Sequence, residues 1–126
     1  MEIAKEREIV FNRYGGKCAF CGTELDKGWH ISPLIPTELV VTNDGSLEKI
    51  NNEIENKIPS CKACDSSRIQ LSYGAKTMTV EQFKKSLLHS FEFIQGNADY
   101  KKAIRFGLIT ETQQPIVFYF ENVNNI

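Results

Sequence analysis

Four cysteines carry the clearest chemistry in this sequence. They form two CxxC pairs, Cys18-Ala19-Phe20-Cys21-Gly22 and Cys61-Lys62-Ala63-Cys64, and none is left over. Two residues between thiols let a tight turn aim both at one ion, and two such turns complete a tetrahedral all-thiolate site with no other donor. The spacing therefore points to Cys18, Cys21, Cys61 and Cys64 as ligands of a structural zinc. The alternatives are a dithiol redox pair or chance core cysteines, but a thioredoxin-like site needs one CxxC and leaves the second unexplained. A closed four-cysteine site has no open coordination position, so the ion holds structure and does not run chemistry. It would staple the first knuckle to the second across the 39 residues between Cys21 and Cys61. In a short chain that staple matters, because structural zinc adds on the order of 10 kcal/mol of apparent binding free energy to folding.

The elements that must hold these knuckles follow from periodicity. Residues 2 to about 14 read as a helix, with Ile3, Arg7, Val10, Phe11 and Tyr14 on one stripe and Gly15-Gly16 as the stop. From Trp29 to Ile58 the pattern changes to short extended pieces, and Asn43-Asp44-Gly45 between Leu39-Val40-Val41 and Leu47 to Ile50 signals a hairpin. Helical tendency follows the second knuckle. Thr79 and Gln82 form a capping box for a helix whose stripe is Val80, Phe83, Leu87, Phe91 and Ile94, ended by Gly96-Asn97. A short helix from Tyr100 to Phe106 comes next, and Ile116-Val117-Phe118-Tyr119-Phe120 after Pro115 predicts a strand. Phe91, Phe106, Phe118 and Phe120 read as packing residues, and packing is also the simpler reading of Trp29 and Tyr14. The expected fold class is α+β, a small single domain over residues 1–126 with a C-terminal helix and strand extension at 79–121.

Around the cysteines, RYGGKCAFCGTELDKGWHISPLIP and IENKIPSCKACDSSR resemble the zinc-containing HNH endonucleases. MTVEQFKKSL, DYKKAIRFGLI and IVFYFE extend the likeness to the C-terminal part of HNH proteins found in phages, so that it spans about residues 5 to 121. The resemblance implies an HNH-like ββα-metal core stapled by the four-cysteine zinc site. It also implies a strand ending in an Asp-His pair, a loop Asn that orients the His, and a helix opening with an Asn or His that shares a magnesium or manganese ion with the Asp.

Anchoring the family's DHxxP segment on Pro33 aligns it with Trp29-His30-Ile31-Ser32-Pro33. His30 then becomes the general base and Trp29 stands where the metal Asp would be. Anchoring on Pro36 would put Ser32 and Pro33 at the Asp and His positions, so the first register keeps the chemistry. Asn56, five residues before Cys61, matches the middle Asn. Asp65, directly after Cys64, takes the last position and is a competent magnesium ligand. Each has a plainer reading: His30 as a packed or surface histidine, Asn56 as a turn residue, Asp65 as an N-cap. Glu53 and Glu55 lie near Asn56 as substitutes for the missing carboxylate, or as a solvated acidic loop. His89 has no such support and reads as a boundary or solvent-facing residue.

The implied function is divalent-metal-dependent hydrolysis of DNA phosphodiesters, with metal affinity reduced by Trp29. The alternatives are an impaired relative that still binds DNA and a protein-binding regulator or inhibitor built on a former nuclease scaffold. Composition bounds these readings. With 126 residues, 41% hydrophobic and 25% charged, the chain is globular in balance, and a net charge of -1 excludes a chain-wide basic coat. That balance conceals polarity: Lys57 to Arg105 holds nine basic and four acidic residues, whereas Glu38 to Glu55 holds five acids and one lysine. Lys57, Lys62 and Arg68 surround the second knuckle and are candidate phosphate contacts, while the acidic stretch would repel a duplex and suits a basic protein. No apolar run approaches a membrane span and the N-terminus is charged, so a cytoplasmic protein is expected, in a bacterial host cell and phage-encoded if the resemblance holds.

Overall fold

The computed structural model describes residues 3–70, 76–111 and 115–123. The chain divides into two compact units, Met1–Val80 with Val117–Ile126, and Glu81–Ile116. Helix and strand are mixed, and among the described residues no helix is long and apolar enough to cross a membrane.

The first unit opens with α1 (Ile3–Arg13), which buries Val10 and, just beyond it, Tyr14. Gly16 ends the helix at φ +76°, donating to the Phe11 carbonyl at 3.0 Å, and a Cβ here would lie 2.8 Å from the Phe11 ring. Only glycine combines that left-handed backbone with that approach. The first knuckle is closed by Cys18 N–H to Thr23 O at 2.8 Å and Gly22 N–H to Cys18 O at 3.0 Å.

Strand β1 (His30–Pro33) pairs antiparallel with β4 (Lys57–Ser60), matching His30 with Ser60 and Pro33 with Lys57. Between them β2 (Glu38–Val41) and β3 (Leu47–Ile50) form the hairpin expected from Asn43-Asp44-Gly45, with Gly45 at φ +84°. The Asp44 carboxylate accepts from the Ser46 hydroxyl at 2.6 Å and also from the Thr42 hydroxyl, which closes the turn and holds its acid well below the usual carboxylate range. Helix α2 (Lys62–Arg68) follows β4 at once, and β5 (Ile69–Gln70) pairs with β6 (Lys76–Thr77).

The core of this unit gathers Val10, Cys18, Ala19, Phe20, Trp29, Ile58, Phe118 and Phe120. Phe20 takes Phe118 and Phe120 edge-on, with ring centroids 5.1 and 6.1 Å away. Here the expected strand at 116–120 does not form. Residues 115–118 are irregular and α5 (Tyr119–Val123) is helical. The reason lies in the amides: Tyr119 N–H bonds Phe20 O at 2.9 Å, Phe120 N–H bonds Ala19 O at 2.7 Å, and Phe118 N–H bonds the Glu121 carboxylate at 2.7 Å. The first knuckle and a helix-capping acid take the groups a sheet would need.

The second unit contains most of α3 (Val80–Gln95), which starts directly after Thr79, and α4 (Ala98–Arg105). Asn97 does more than end α3: its side chain accepts from Asp99 N–H at 2.8 Å and so caps α4. Phe83 is buried, whereas Phe91 and Phe106, expected as packing residues, are exposed; Phe91 makes an edge contact with Tyr100 at 6.1 Å. His89 is solvent-facing.

Candidate metal centre and its flanking residues

The two knuckles meet. The Sγ atoms of Cys18, Cys21, Cys61 and Cys64 all lie within 4.8 Å of one another, and those of Cys21 and Cys61 are 3.8 Å apart. Zn–S bonds of about 2.3 Å in a tetrahedron demand sulfur separations of about 3.8 Å, so the cluster can hold a metal ion such as zinc. Backbone geometry prepares it: Cys61 N–H points at Cys18 Sγ at 3.3 Å and Cys64 N–H at Cys61 Sγ at 3.4 Å. The second contact makes Cys61 the N-cap of α2. Ala19 N–H, bonded to Pro59 O at 2.8 Å, ties the first knuckle to the strand that delivers the second.

Thiol acidities show what the donor set requires. A hydrogen bond from Cys64 holds the Cys18 thiol down to about 4; that bond, with burial and the Cys18 charge, drives Cys64 upward, and burial raises Cys21. Without a cation hydrogen bonding favours the Cys18 thiolate and holds the proton on Cys64, while burial resists ionisation of Cys21 and Cys64; a bound divalent ion favours the thiolate form of its ligands.

His30 and Asp65 come together beside this centre. Register places His30 opposite Ser60, one residue before Cys61, and Asp65 lies in the first turn of α2. His30 Nδ1 and Asp65 Oδ2 are 4.0 Å apart, with side chains 54% and 23% exposed, at a separation longer than a hydrogen bond and open to solvent.

Asn56 lies elsewhere. It immediately precedes β4 at the far end of the ladder, next to the Lys57–Pro33 pair, so about 13 Å of strand separates it from His30. Its Oδ1 accepts from Ile35 N–H at 2.9 Å, and its Nδ2 donates to Ile35 O at 2.8 Å and Asn51 O at 2.7 Å. Asn56 therefore clamps the loop between β1 and β4 and does not itself orient His30.

Of the expected phosphate contacts, Arg68 is corrected. Arg68 is 1% exposed. Its Nε donates to Met78 O at 2.8 Å, Nη2 to Leu34 O at 2.7 Å, and Nη1 to Ser32 Oγ at 3.2 Å and to Pro33 O, with the guanidinium carbon 5.0 Å from the Phe20 ring centre. Burial lowers its pKa to about 10, opposed by the charge of Asp65. It is an internal strut, out of reach of a phosphate. Lys57 is engaged by Glu6 at 3.0 Å. Lys62 remains exposed.

Trp29, at the position where the resemblance places a carboxylate, is a core residue. The Arg7 guanidinium lies 3.9 Å from its ring centre and donates to its carbonyl at 3.2 Å, and Phe11 packs at 5.9 Å. Replacing Trp29 by Asp is expected to lower stability by about 3 kcal/mol, because it removes the ring against which Arg7 and Phe11 of α1 pack. A chemical denaturation midpoint measures this. Glu53 and Glu55 are exposed acids near Asn56, on the far side of the ladder from His30. No protein-family model, curated protein or solved structure matches the chain.

Proposed function

We propose that this chain is an HNH-type endonuclease that hydrolyses DNA phosphodiesters with magnesium or manganese. The observation that carries the reading is the meeting of His30 and Asp65 at 4.0 Å on a solvent-open edge beside the four-cysteine centre. In this reading the β1–β4 ladder and α2 form a ββα-metal core, and zinc on Cys18, Cys21, Cys61 and Cys64 fixes the angle between its parts.

Asp65 would hold the catalytic ion, which when bound supplies Lewis-acid stabilisation of the charge developing on the phosphate. His30 acts as general base: Nδ1 faces Asp65, so Nε2 is free to take the proton of the attacking water. Asn56 serves at a distance by closing the loop that ends both strands. Trp29 leaves the ion with one protein carboxylate, which lowers metal affinity while keeping the base.

The test is nicking of supercoiled plasmid at low salt in magnesium or manganese. His30→Ala is expected to lower the rate by about 10² to 10⁴-fold, and Asp65→Ala to raise the metal concentration needed. Cleavage by the unaltered chain that persists undiminished in His30→Ala removes the base assignment, and no cleavage in either metal removes the activity. On DNA binding, Lys62→Ala is expected to reduce the slope of log affinity against log salt by about one. Filter or fluorescence titration across a salt series reads it.

A further inference from the structure

Hairpin β2–β3 stands on its own in the first unit, bonded to no third strand among the described residues. Register sets Leu39 against Lys49 and Val41 against Leu47, so Leu39, Val41 and Leu47 share one face. They are 70%, 71% and 69% exposed. An isolated two-stranded ribbon is marginal in water, and three neighbouring apolar side chains left open on it mark a surface that gains by being covered.

Beside it lies a cleft of about 700 Å³, lined by Ile35, Pro36, Glu38, Leu39, Lys76 and Thr77 among others. Among the described residues β2 pairs only with β3 and β6 only with β5, which leaves one edge of each strand unpaired by any described strand. Charge selects the occupant. On the hairpin Glu38, Asp44 and Glu48 stand against Lys49, and Lys76 lines the cleft together with Glu38. A second copy would bring this acidic segment against itself, and a nucleic-acid backbone would be repelled; a segment bearing lysine or arginine is attracted.

We infer that this hairpin and cleft bind an extended, basic and apolar segment of another protein by strand addition. Backbone hydrogen bonds on the outer edge of β2 supply affinity, alternate apolar side chains adjoin Leu39 and Val41 and extend the apolar face that continues to Leu47, and the basic residues between them lie on the face that carries Glu38 and Glu48. The inference is independent of the nuclease reading, because none of these residues lies at His30 or Asp65.

The test titrates a synthetic peptide of alternating valine and lysine, and a valine-glutamate counterpart, into the full zinc-loaded chain while methyl resonances are followed. Binding of the lysine peptide with shifts at Leu39, Val41 and Leu47, weakened about tenfold or more in Leu39→Ser/Leu47→Ser and in Glu38→Lys/Glu48→Lys, supports it. Because these side chains are exposed, the variants retain the fold, which the remaining methyl spectrum verifies. Equal binding of both peptides, binding unchanged in the variants, no binding, or self-association abolished by Leu39→Ser/Leu47→Ser overturns it.

Discussion

Cys61→Ser is expected to abolish the cooperative unfolding transition of the first unit. Structural zinc contributes on the order of 10 kcal/mol or more to small domains, and a whole domain is ordinarily stable by only about 5 to 15 kcal/mol. Losing one of four thiolates therefore removes a quantity comparable with the entire margin. Serine is a favoured N-cap, so the variant leaves the start of α2 satisfied and the loss reports the ligand, not the cap. Far-UV circular dichroism with a thermal ramp reads the result, and a strong chelator added to the unaltered chain should reproduce it. Lowering pH should act in the same direction, since protons compete with the ion for the thiolates. A variant that melts within a few degrees of the unaltered chain would show that the core holds without the metal.

Arg68→Met is expected to destabilise the chain by about 4 to 6 kcal/mol. Methionine replaces much of the aliphatic volume, so the loss is concentrated in the polar head. The Met78, Pro33 and Leu34 carbonyls and the Ser32 hydroxyl lose their donor, and each group left buried without a partner costs about 1 to 3 kcal/mol. Against this stands the relief of a desolvated cation, visible in the lowered pKa of about 10. That relief can dominate when all partners are replaced by apolar groups, but here the carbonyls remain. Arg68→Lys should fall between, because an ammonium offers three donors without the planar fork. Urea unfolding monitored by Trp29 fluorescence gives the values, and a loss under 1 kcal/mol for Arg68→Met would show that water replaces the guanidinium at little cost.

Much of the frame was legible in the residues. Helical stripes foretold α1 and α3, Asn43-Asp44-Gly45 foretold the hairpin, and the CxxC spacings foretold four sulfurs close enough for one ion. These are local signals, and local chemistry governs each of them. The failures share a different cause. Phe118-Tyr119-Phe120 has the composition of a strand, but the amides of Tyr119 and Phe120 are claimed by Phe20 and Ala19 about one hundred residues earlier. Arg68 and Lys57 look like surface cations until the fold supplies their carbonyls and Glu6. Asn56 has the expected spacing from Cys61 but is engaged by Ile35 and Asn51. Asn51 and Met78 apart, those partners lie more than twenty residues away along the chain. Asn97 is the exception, since Asn followed by Asp99 in a first helical turn is itself a start signal, and reading it as the end of α3 missed half its work.

The roles proposed for His30 and Asp65 depend on one ion holding Cys18, Cys21, Cys61 and Cys64 together, because Cys61 and Cys64 set the start of α2, the helix that carries Asp65 and is tied to β1 through Arg68. The most direct measurement is intact mass of the freshly purified chain under native conditions, before and after treatment with a thiol-alkylating reagent. One zinc per chain is expected, with all four cysteines protected until a chelator is added and all four alkylated afterwards. A chain without metal whose cysteines alkylate freely, or whose mass shows disulfides in their place, would contradict it.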